Sequence, residues 1–155
     1  MPAIQTNYLP TILPAYEGMI ADSRDQTILS LIIESAGGVG FGKPVTQGAW
    51  DRSVVFPPAA VKYRGVTVAT HFPSEKAGVQ GTQDAYNQGD TIPVMVQGPL
   101  WVMASVAVGP DTGCYFVPTT GVFTNDATAP NVKIGVWETS TTGPGLAVVN
   151  LLQLG

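Results

Sequence analysis

Acid–base or nucleophilic catalysis in this chain would depend on its one histidine, His71. A serine or cysteine nucleophile needs a neighbouring base to take its proton, and histidine is the usual base. His71 follows an alternating apolar stretch, and no motif connects it to Ser74, to Cys114 or to a carboxylate. The pattern therefore favours a surface or hydrogen-bonded histidine over a catalytic one.

The eleven carboxylates are dispersed along the chain rather than grouped. They do not form the close cluster of oxygen ligands that a calcium loop requires, and a glycosidase pair cannot be located from spacing alone. Several lie beside Gly or Pro, where Asp bonds to its own backbone and favours a turn. The sequence therefore predicts no metal, no cofactor and no enzymatic activity. The carboxylates are Glu17, Asp22, Asp25, Glu34, Asp51, Glu75, Asp84, Asp90, Asp111, Asp126 and Glu138.

The aromatic side chains could form a platform on which sugar rings stack. Because aromatic residues carry large buried areas, packing in a core or at a subunit interface is the alternative use. Cys114 is the one cysteine and lies on an apolar stretch, so we expect a buried thiol without a disulfide. The aromatic candidates are Trp50, Trp101, Trp137, Tyr63, Tyr86 and Tyr115.

Charged side chains make up 12% of the chain, about half of the usual share of roughly 25%. The surface must therefore be built mainly from Thr, Ser, Asn, Gln, Gly and Pro. Such a surface loses little charge solvation when it meets a partner. The seven Lys and Arg residues are scattered and the net charge is −4, so a nucleic-acid partner is not expected.

Neither membrane insertion nor export is indicated by the sequence. Apolar runs are broken by Pro or Gly and fall far below the ~20 residues of a spanning helix. The first positive residue is Arg24, so the charged start of a signal peptide is missing. We expect a soluble protein that is made in a cytoplasm and has no membrane partner.

Gly and Pro, with 18 and 13 copies, divide the chain into short segments, as in strands joined by turns. The stretch Tyr86–Ala104 reads as a polar turn, a strand, the pair Gly98-Pro99 and a second strand. We interpret Gly98-Pro99 as a chain reversal, and Pro93 as a sign of an edge strand or a bulge. About eight short strands predict an all-β fold: a barrel, a sandwich or a jelly roll.

The first twenty residues are apolar but interrupted by three prolines. Proline removes a backbone donor and favours extended neighbours, so this segment must lie extended, either along its own domain or against a neighbouring subunit. We predict an arm over residues 1–21, a single domain over residues 22–155 and a protein interface on the arm. The candidate interface residues are Tyr8, Leu9, Pro10, Ile12, Leu13, Tyr16, Met19 and Ile20.

Short motifs, each a turn beside an apolar strand, follow one another between Asp22 and Leu152. They are Asp22-Ser23, the run Thr27–Ser35, Phe41-Gly42-Lys43-Pro44-Val45 with Gly48, Arg64-Gly65-Val66-Thr67-Val68, Tyr86-Asn87-Gln88-Gly89-Asp90, Gly98-Pro99-Leu100-Trp101-Val102, Gly113-Cys114-Tyr115-Phe116 and Gly145-Leu146-Ala147-Val148-Val149. Their order and spacing resemble the structural cement, or capsid decoration, proteins of tailed bacteriophages. The arm from Tyr8 to Ile20 has no counterpart in that pattern.

The resemblance implies a non-enzymatic virion protein with a compact β-barrel or jelly-roll domain. It implies binding to the outer capsid surface, where a homodimer or homotrimer cements neighbouring major capsid subunits, after synthesis in the bacterial cytoplasm. The alternative is a carbohydrate-binding or adhesin module on the virion surface that stacks sugars on Trp50, Trp101 or Trp137. A hydrolase that depends on His71 is the third hypothesis.

Overall fold

The computed structural model describes residues 15–70 and 85–152, and these ranges contain strands and turns but no helix. The all-β prediction is confirmed. In chain order the strands are β1 (Thr27–Ile33), β2 (Val39–Gly40), β3 (Pro44–Gln47), β4 (Ser53–Val55), β5 (Tyr63–Thr67), β6 (Ala85–Tyr86), β7 (Thr91–Ala104), β8 (Gly113–Phe116), β9 (Phe123–Thr124), β10 (Val132–Trp137) and β11 (Gly145–Leu151).

Strand β7 belongs to two closed rings of strands. Its first half completes a ring with β1, β4, β3 and β5, because β1 pairs with both β4 and β7. Its second half completes a ring with β11, β10, β8 and β9, because β9 pairs back onto β7 at Ala104. We call these the N-terminal ring and the C-terminal ring. The barrel prediction is confirmed, with closure occurring twice around one shared strand.

Within the described residues, β7 has partners on both sides of each half. The first half lies between β1 and β5. The second half has β11 on one side, while an isolated bridge from Ile20 to Leu100 and the short strand β9 occupy the other. Because its backbone groups are paired in this way, β7 offers no free edge on which another chain could add a strand.

Two apolar cores lie in the described structure, one at each ring, and Val66, Val68 and Met95 of the N-terminal ring pack into the core of the C-terminal ring. The C-terminal core is the larger of the two and holds most of the bulky aromatic side chains. It comprises Val66, Val68, Met95, Leu100, Val102, Ala104, Val108, Cys114, Phe116, Phe123, Ile134, Trp137, Ala147, Val149 and Leu151. The N-terminal core comprises Leu31, Ile33, Val39, Phe41, Val45, Val54, Tyr86, Ile92 and Val94.

The predicted reversal at Gly98-Pro99 is wrong. Strand β7 runs unbroken through both residues, which lie opposite Leu151 and Asn150 of β11. Gly98 has a φ of +126° at the point where β7 passes from the N-terminal ring to the C-terminal ring. The Gly-Pro pair therefore marks a bend within one strand, because pairing with β11 keeps the chain extended beyond it.

Pro93 does not lie on an edge strand. It is opposite Ser30 of β1, and its carbonyl accepts a hydrogen bond from the Val68 N–H at 2.9 Å. The β1–β7 pairing has a register shift between Thr27 and Ile28, opposite Gln97 and Met95, and is regular at Pro93. A proline is accommodated here because the ladder uses its carbonyl, which proline retains.

Candidate protein–protein interface

The residues considered for chemistry are not brought together in the described structure. His71 and Ser74 lie outside the described residues. Cys114 is a free cysteine buried in the C-terminal core, as expected, and burial raises the pKa of its thiol. Among the described residues, no group of three or more His, Cys, Asp or Glu side chains could hold a metal ion.

Across the same ranges no helix has the length and apolar character needed to cross a bilayer.

Three buried polar atoms lack a hydrogen-bond partner in the described structure: the Tyr63 hydroxyl, the Arg64 Nε and the Trp137 indole nitrogen. Tyr63 stacks on Phe116, with ring centroids 5.5 Å apart and an angle of 29° between the planes. Burial raises the pKa of the Tyr63 hydroxyl, and the neighbouring Cys114 adds to this rise. Tyr63 therefore carries a polar group from the N-terminal ring into the apolar core of the C-terminal ring.

Three of the predicted arm residues lie in the described structure. Tyr16 is 48% exposed, whereas Met19 and Ile20 are partly buried. Ile20 packs against the C-terminal core and forms a bridge to Leu100. The other predicted interface residues, Tyr8, Leu9, Pro10, Ile12 and Leu13, lie outside the described residues. The arm interface stays a prediction.

Residues 18–21 run along β7 of their own chain. The Gly18 N–H donates to the Trp101 carbonyl at 2.8 Å, and the Trp101 N–H donates to the Met19 carbonyl at 2.9 Å. The Ala21 N–H donates to the Pro99 carbonyl at 3.1 Å. This part of the predicted arm therefore contacts its own domain, which was one of the two alternatives for the segment.

Gly18 also ties these residues to the N-terminal ring. Its carbonyl accepts from the Ala69 N–H at 2.8 Å, just after β5. Its φ is +80°, and a Cβ there would lie 2.8 Å from the backbone nitrogen of Gly42. One residue earlier, Glu17 pairs with Lys43 at 3.0 Å. Residues 17–21 thus form a strap that is fastened to both rings.

An exposed charged cluster holds the segment that follows the strap. Arg24 Nη2 lies 2.7 Å from Asp22 Oδ2, and Arg24 Nη1 donates to Glu138 Oε1 at 2.6 Å. Hydrogen bonding from Arg24 lowers the pKa of the Asp22 carboxyl, and both carboxylates raise the pKa of Arg24, Glu138 the more strongly. The cluster joins the end of the strap region to the turn after β10.

The three tryptophans do not share a surface. Trp137 is fully buried in the C-terminal core, Trp101 is partly buried on β7, and Trp50 is 67% exposed in the turn between β3 and β4. Tyr86 is buried too, and its hydroxyl donates to the Val68 carbonyl. The six aromatic candidates therefore form no common stacking platform, and Trp50 alone among the tryptophans stands out into solvent.

The turn that carries Trp50 is held by the carboxylate of Glu34, at the end of β1. Glu34 Oε2 accepts from the Ala49 N–H and from the Ser53 hydroxyl, each at 2.8 Å. The Trp50 N–H donates to Ser53 Oγ at 3.0 Å, and the Gln47 side-chain amide donates to the Trp50 carbonyl. These bonds fix the backbone on both sides of the exposed indole. The sequence did not reveal this network, because its central carboxylate, Glu34, lies fifteen residues before Ala49.

Strand β1 carries two further exposed apolar side chains, and one of them, Ile32, belongs to a residue beside this turn. Ile28 and Ile32 on β1 are exposed while Leu31 and Ile33 point into the N-terminal core. The Ile32 N–H donates to the Arg52 carbonyl at 2.8 Å, which places Ile32 beside the turn of Trp50. This end of the N-terminal ring therefore presents apolar side chains on a hydrogen-bonded frame.

One family model matches nearly the whole chain. A family model described as structural cement protein (E217 gp24/Pam3 gp6) matches residues 4–152. A chain from "The capsid of Myoviridae Phage XM1" is 13% identical, with a TM-score of 0.68 over 96% of each chain, which shows a common fold. The head fiber gp8.5 N base of bacteriophage phi29 is 12% identical, with a TM-score of 0.46 over 84% of this chain and 99% of that one. Curated protein sequences give no match.

Proposed function

We propose that this chain, which belongs to the family of phage structural cement proteins, binds the outside of a capsid and cements neighbouring major capsid subunits. The family match over residues 4–152 carries this proposal. The family is structural rather than enzymatic, and it places the protein in the virion. The low share of charged residues, 12%, supports a surface that can be desolvated at modest cost.

Cementing would act through many contacts repeated by the symmetry of the shell. A homodimer or homotrimer that matches a capsid symmetry axis touches several subunits at once. Once one contact has formed, the others form at a high effective concentration, so modest contacts add up to firm attachment. The closed rings support this role, because a barrel without free edges holds its shape while its loops and arm make contacts.

The arm is the first contact that we propose. Its apolar residues Tyr8, Leu9, Ile12 and Leu13 precede the strap, and the strap fixes the point from which they start. Fourteen residues can span at most about 46–50 Å when fully extended. That length is sufficient to reach a neighbouring subunit, and apolar residues broken by prolines suit an extended segment that lies along another protein.

Deletion of residues 1–14 tests the arm, because this cut leaves the strap of residues 17–21 intact. We expect the truncated protein to keep its β-sheet circular dichroism and its unfolding midpoint, and to bind shells assembled without this protein more weakly than the full chain. Co-sedimentation with such shells measures binding. Undiminished binding would show that the arm is not an interface, and failure of the full chain to bind shells would contradict the cement function itself.

A further inference from the structure

We propose that Trp50 is the anchor of the capsid contact, with its indole inserted into an apolar pocket on a major capsid subunit. This inference rests on the proposed cement function and names a residue that makes its contact. Tryptophan is highly buried on average, yet Trp50 is 67% exposed and is the most exposed of the large apolar side chains in the described residues. Among residue types, tryptophan is enriched at the energetic centres of protein interfaces.

The turn presents the indole on a backbone that is fixed before binding. Besides the bonds to Glu34 and from Gln47, the Ser53 N–H donates to the Trp50 carbonyl at 3.1 Å and the Gly48 N–H donates to the Ser53 carbonyl at 2.9 Å. Ordering a mobile loop on binding costs free energy, and a turn that is already ordered avoids that cost. The backbone of Trp50 is therefore already ordered for contact with a partner.

The packing around the turn depends on the absence of a side chain at position 48. A Cβ on Gly48 would lie 2.2 Å from Glu34 Oε2 and 2.4 Å from Ser53 Oγ. The carboxylate and the hydroxyl therefore occupy the space that any other residue would need. Substitution of Gly48 should push the Glu34 carboxylate and the Ser53 hydroxyl away from the turn and so weaken the bonds that hold it. The Trp50 side chain itself stays unchanged, so this variant tests how the indole is held rather than whether it is present.

An apolar protein pocket fits this site better than a sugar does. A carbohydrate site combines an aromatic face with polar groups that converge on the ligand hydroxyls. Here the nearby Glu34, Ser53 and Gln47 side chains already bond to the turn, and the exposed Ile32 beside the turn is apolar. The indole N–H is a donor, so the matching pocket is apolar with a hydrogen-bond acceptor at its rim.

The test compares Trp50→Ala with Val61→Ala, since Val61 is 65% exposed and is the other strongly exposed large apolar side chain of the described residues. Binding is measured by co-sedimentation with shells assembled without this protein. We expect Trp50→Ala to weaken binding at least about 30-fold, as for an interface hot spot, and Val61→Ala to leave it within about twofold. Equal binding by wild type and Trp50→Ala would overturn the anchor while leaving the cement function standing. Absence of binding by wild type would instead overturn the proposed function.

A second variant, Gly48→Ala, checks the presentation of the indole, with Gly143→Ala as control because no atom lies within 4 Å of a Cβ at Gly143. We expect Gly48→Ala to lose at least about tenfold in shell binding, while its far-ultraviolet circular dichroism stays that of the wild type. Wild-type affinity in Gly48→Ala would contradict the pre-ordered turn. A glycan-array signal that disappears in Trp50→Ala, together with unchanged shell binding, would assign Trp50 to sugar recognition and overturn the proposal.

Discussion

The two rings share a strand but differ in what they hold together. The longest pairing of the C-terminal ring joins β7 to β11 through seven residue pairs, and its core contains Trp137, Phe116 and Phe123, but the ring closes through the single pair Ala104–Phe123. The longest pairing of the N-terminal ring joins β1 to β7 through six residue pairs, and its other pairings have two or three pairs each. Its core is smaller and rich in valine and isoleucine.

The difference indicates that the two rings contribute differently to stability and to binding. The C-terminal core holds the larger set of buried apolar side chains, fifteen against nine, so we expect it to contribute the larger share of the stability. The N-terminal ring carries the turn of Trp50, which we assign to a partner together with the arm, and the exposed Ile28 and Ile32 of β1. The strap of residues 17–21 connects the two, because Gly18 bonds to both Trp101 and Ala69.

Matched core truncations, Ile134→Ala and Ile92→Ala, give the largest expected effect. Both isoleucines are fully buried, one in each core. We expect Ile134→Ala to lower the free energy of unfolding by about 4 kcal/mol and Ile92→Ala by about 2–3 kcal/mol, because the rigid aromatic neighbours of Ile134 cannot fill the cavity. Urea unfolding measures both values. A larger loss for Ile92→Ala would reverse the comparison between the rings.

Gly18→Ala breaks the connection between the rings. An added Cβ meets backbone nitrogens of both Gly42 and Ala69 at under 3 Å, so the strap must move. We expect a loss of about 1–3 kcal/mol in unfolding free energy and faster proteolysis of the N-terminal residues. Gly143→Ala, which meets no atom within 4 Å, serves as the control and should behave as wild type. Unchanged proteolysis in Gly18→Ala would show that the strap does not depend on this contact.

Alkaline pH probes the C-terminal core with the smallest expected effect. Burial raises the pKa of the Cys114 thiol, so the folded protein keeps a proton that the unfolded chain releases above about pH 8.5. Stability is therefore complete below that pH and falls above it, by roughly 1 kcal/mol near pH 9.5. Unfolding in urea between pH 7.5 and 9.5 measures the slope. Cys114→Ala should remove it, and the same slope in this variant would assign it to another group.

The strands themselves were largely open to prediction from the sequence. The runs at Thr27–Ile33 and Val132–Trp137 are rich in β-branched residues and are observed as β1 and β10. Gly and Pro mark most strand ends because local turn chemistry requires them. These signals act over a few residues, so a single sequence contains them in full.

Ring closure could not be predicted, because it depends on pairs that are distant along the chain. Gly98 lies opposite Leu151, and this pairing keeps β7 extended where a Gly-Pro signal favours a turn. The double use of β7 follows from such pairings with β1, β5, β11 and β9. A local pattern of residues does not contain this information.

The candidate site was predictable in type but not in position. The sequence indicates that aromatic residues serve either packing or contact, yet the exposure of Trp50 and the burial of Trp137 are set by their neighbours in space. Glu34 supports the Trp50 turn from fifteen residues away, through the Ala49 N–H. The arm was identified as apolar and extended, and the described part of it, around Ile20, packs on its own domain.

The sharing of β7 also determines how the molecule resists force. A force that acts along β7 and draws the two rings apart is borne by the covalent backbone of β7, because no non-covalent interface alone joins the rings. The hydrogen bonds from Gly98 to Ala104 that join β7 to β11 lie across the direction of such a pull, so they must shear together instead of unzipping one at a time. Tension from a swelling shell that is gripped at both rings would therefore meet the stiffest direction of the fold.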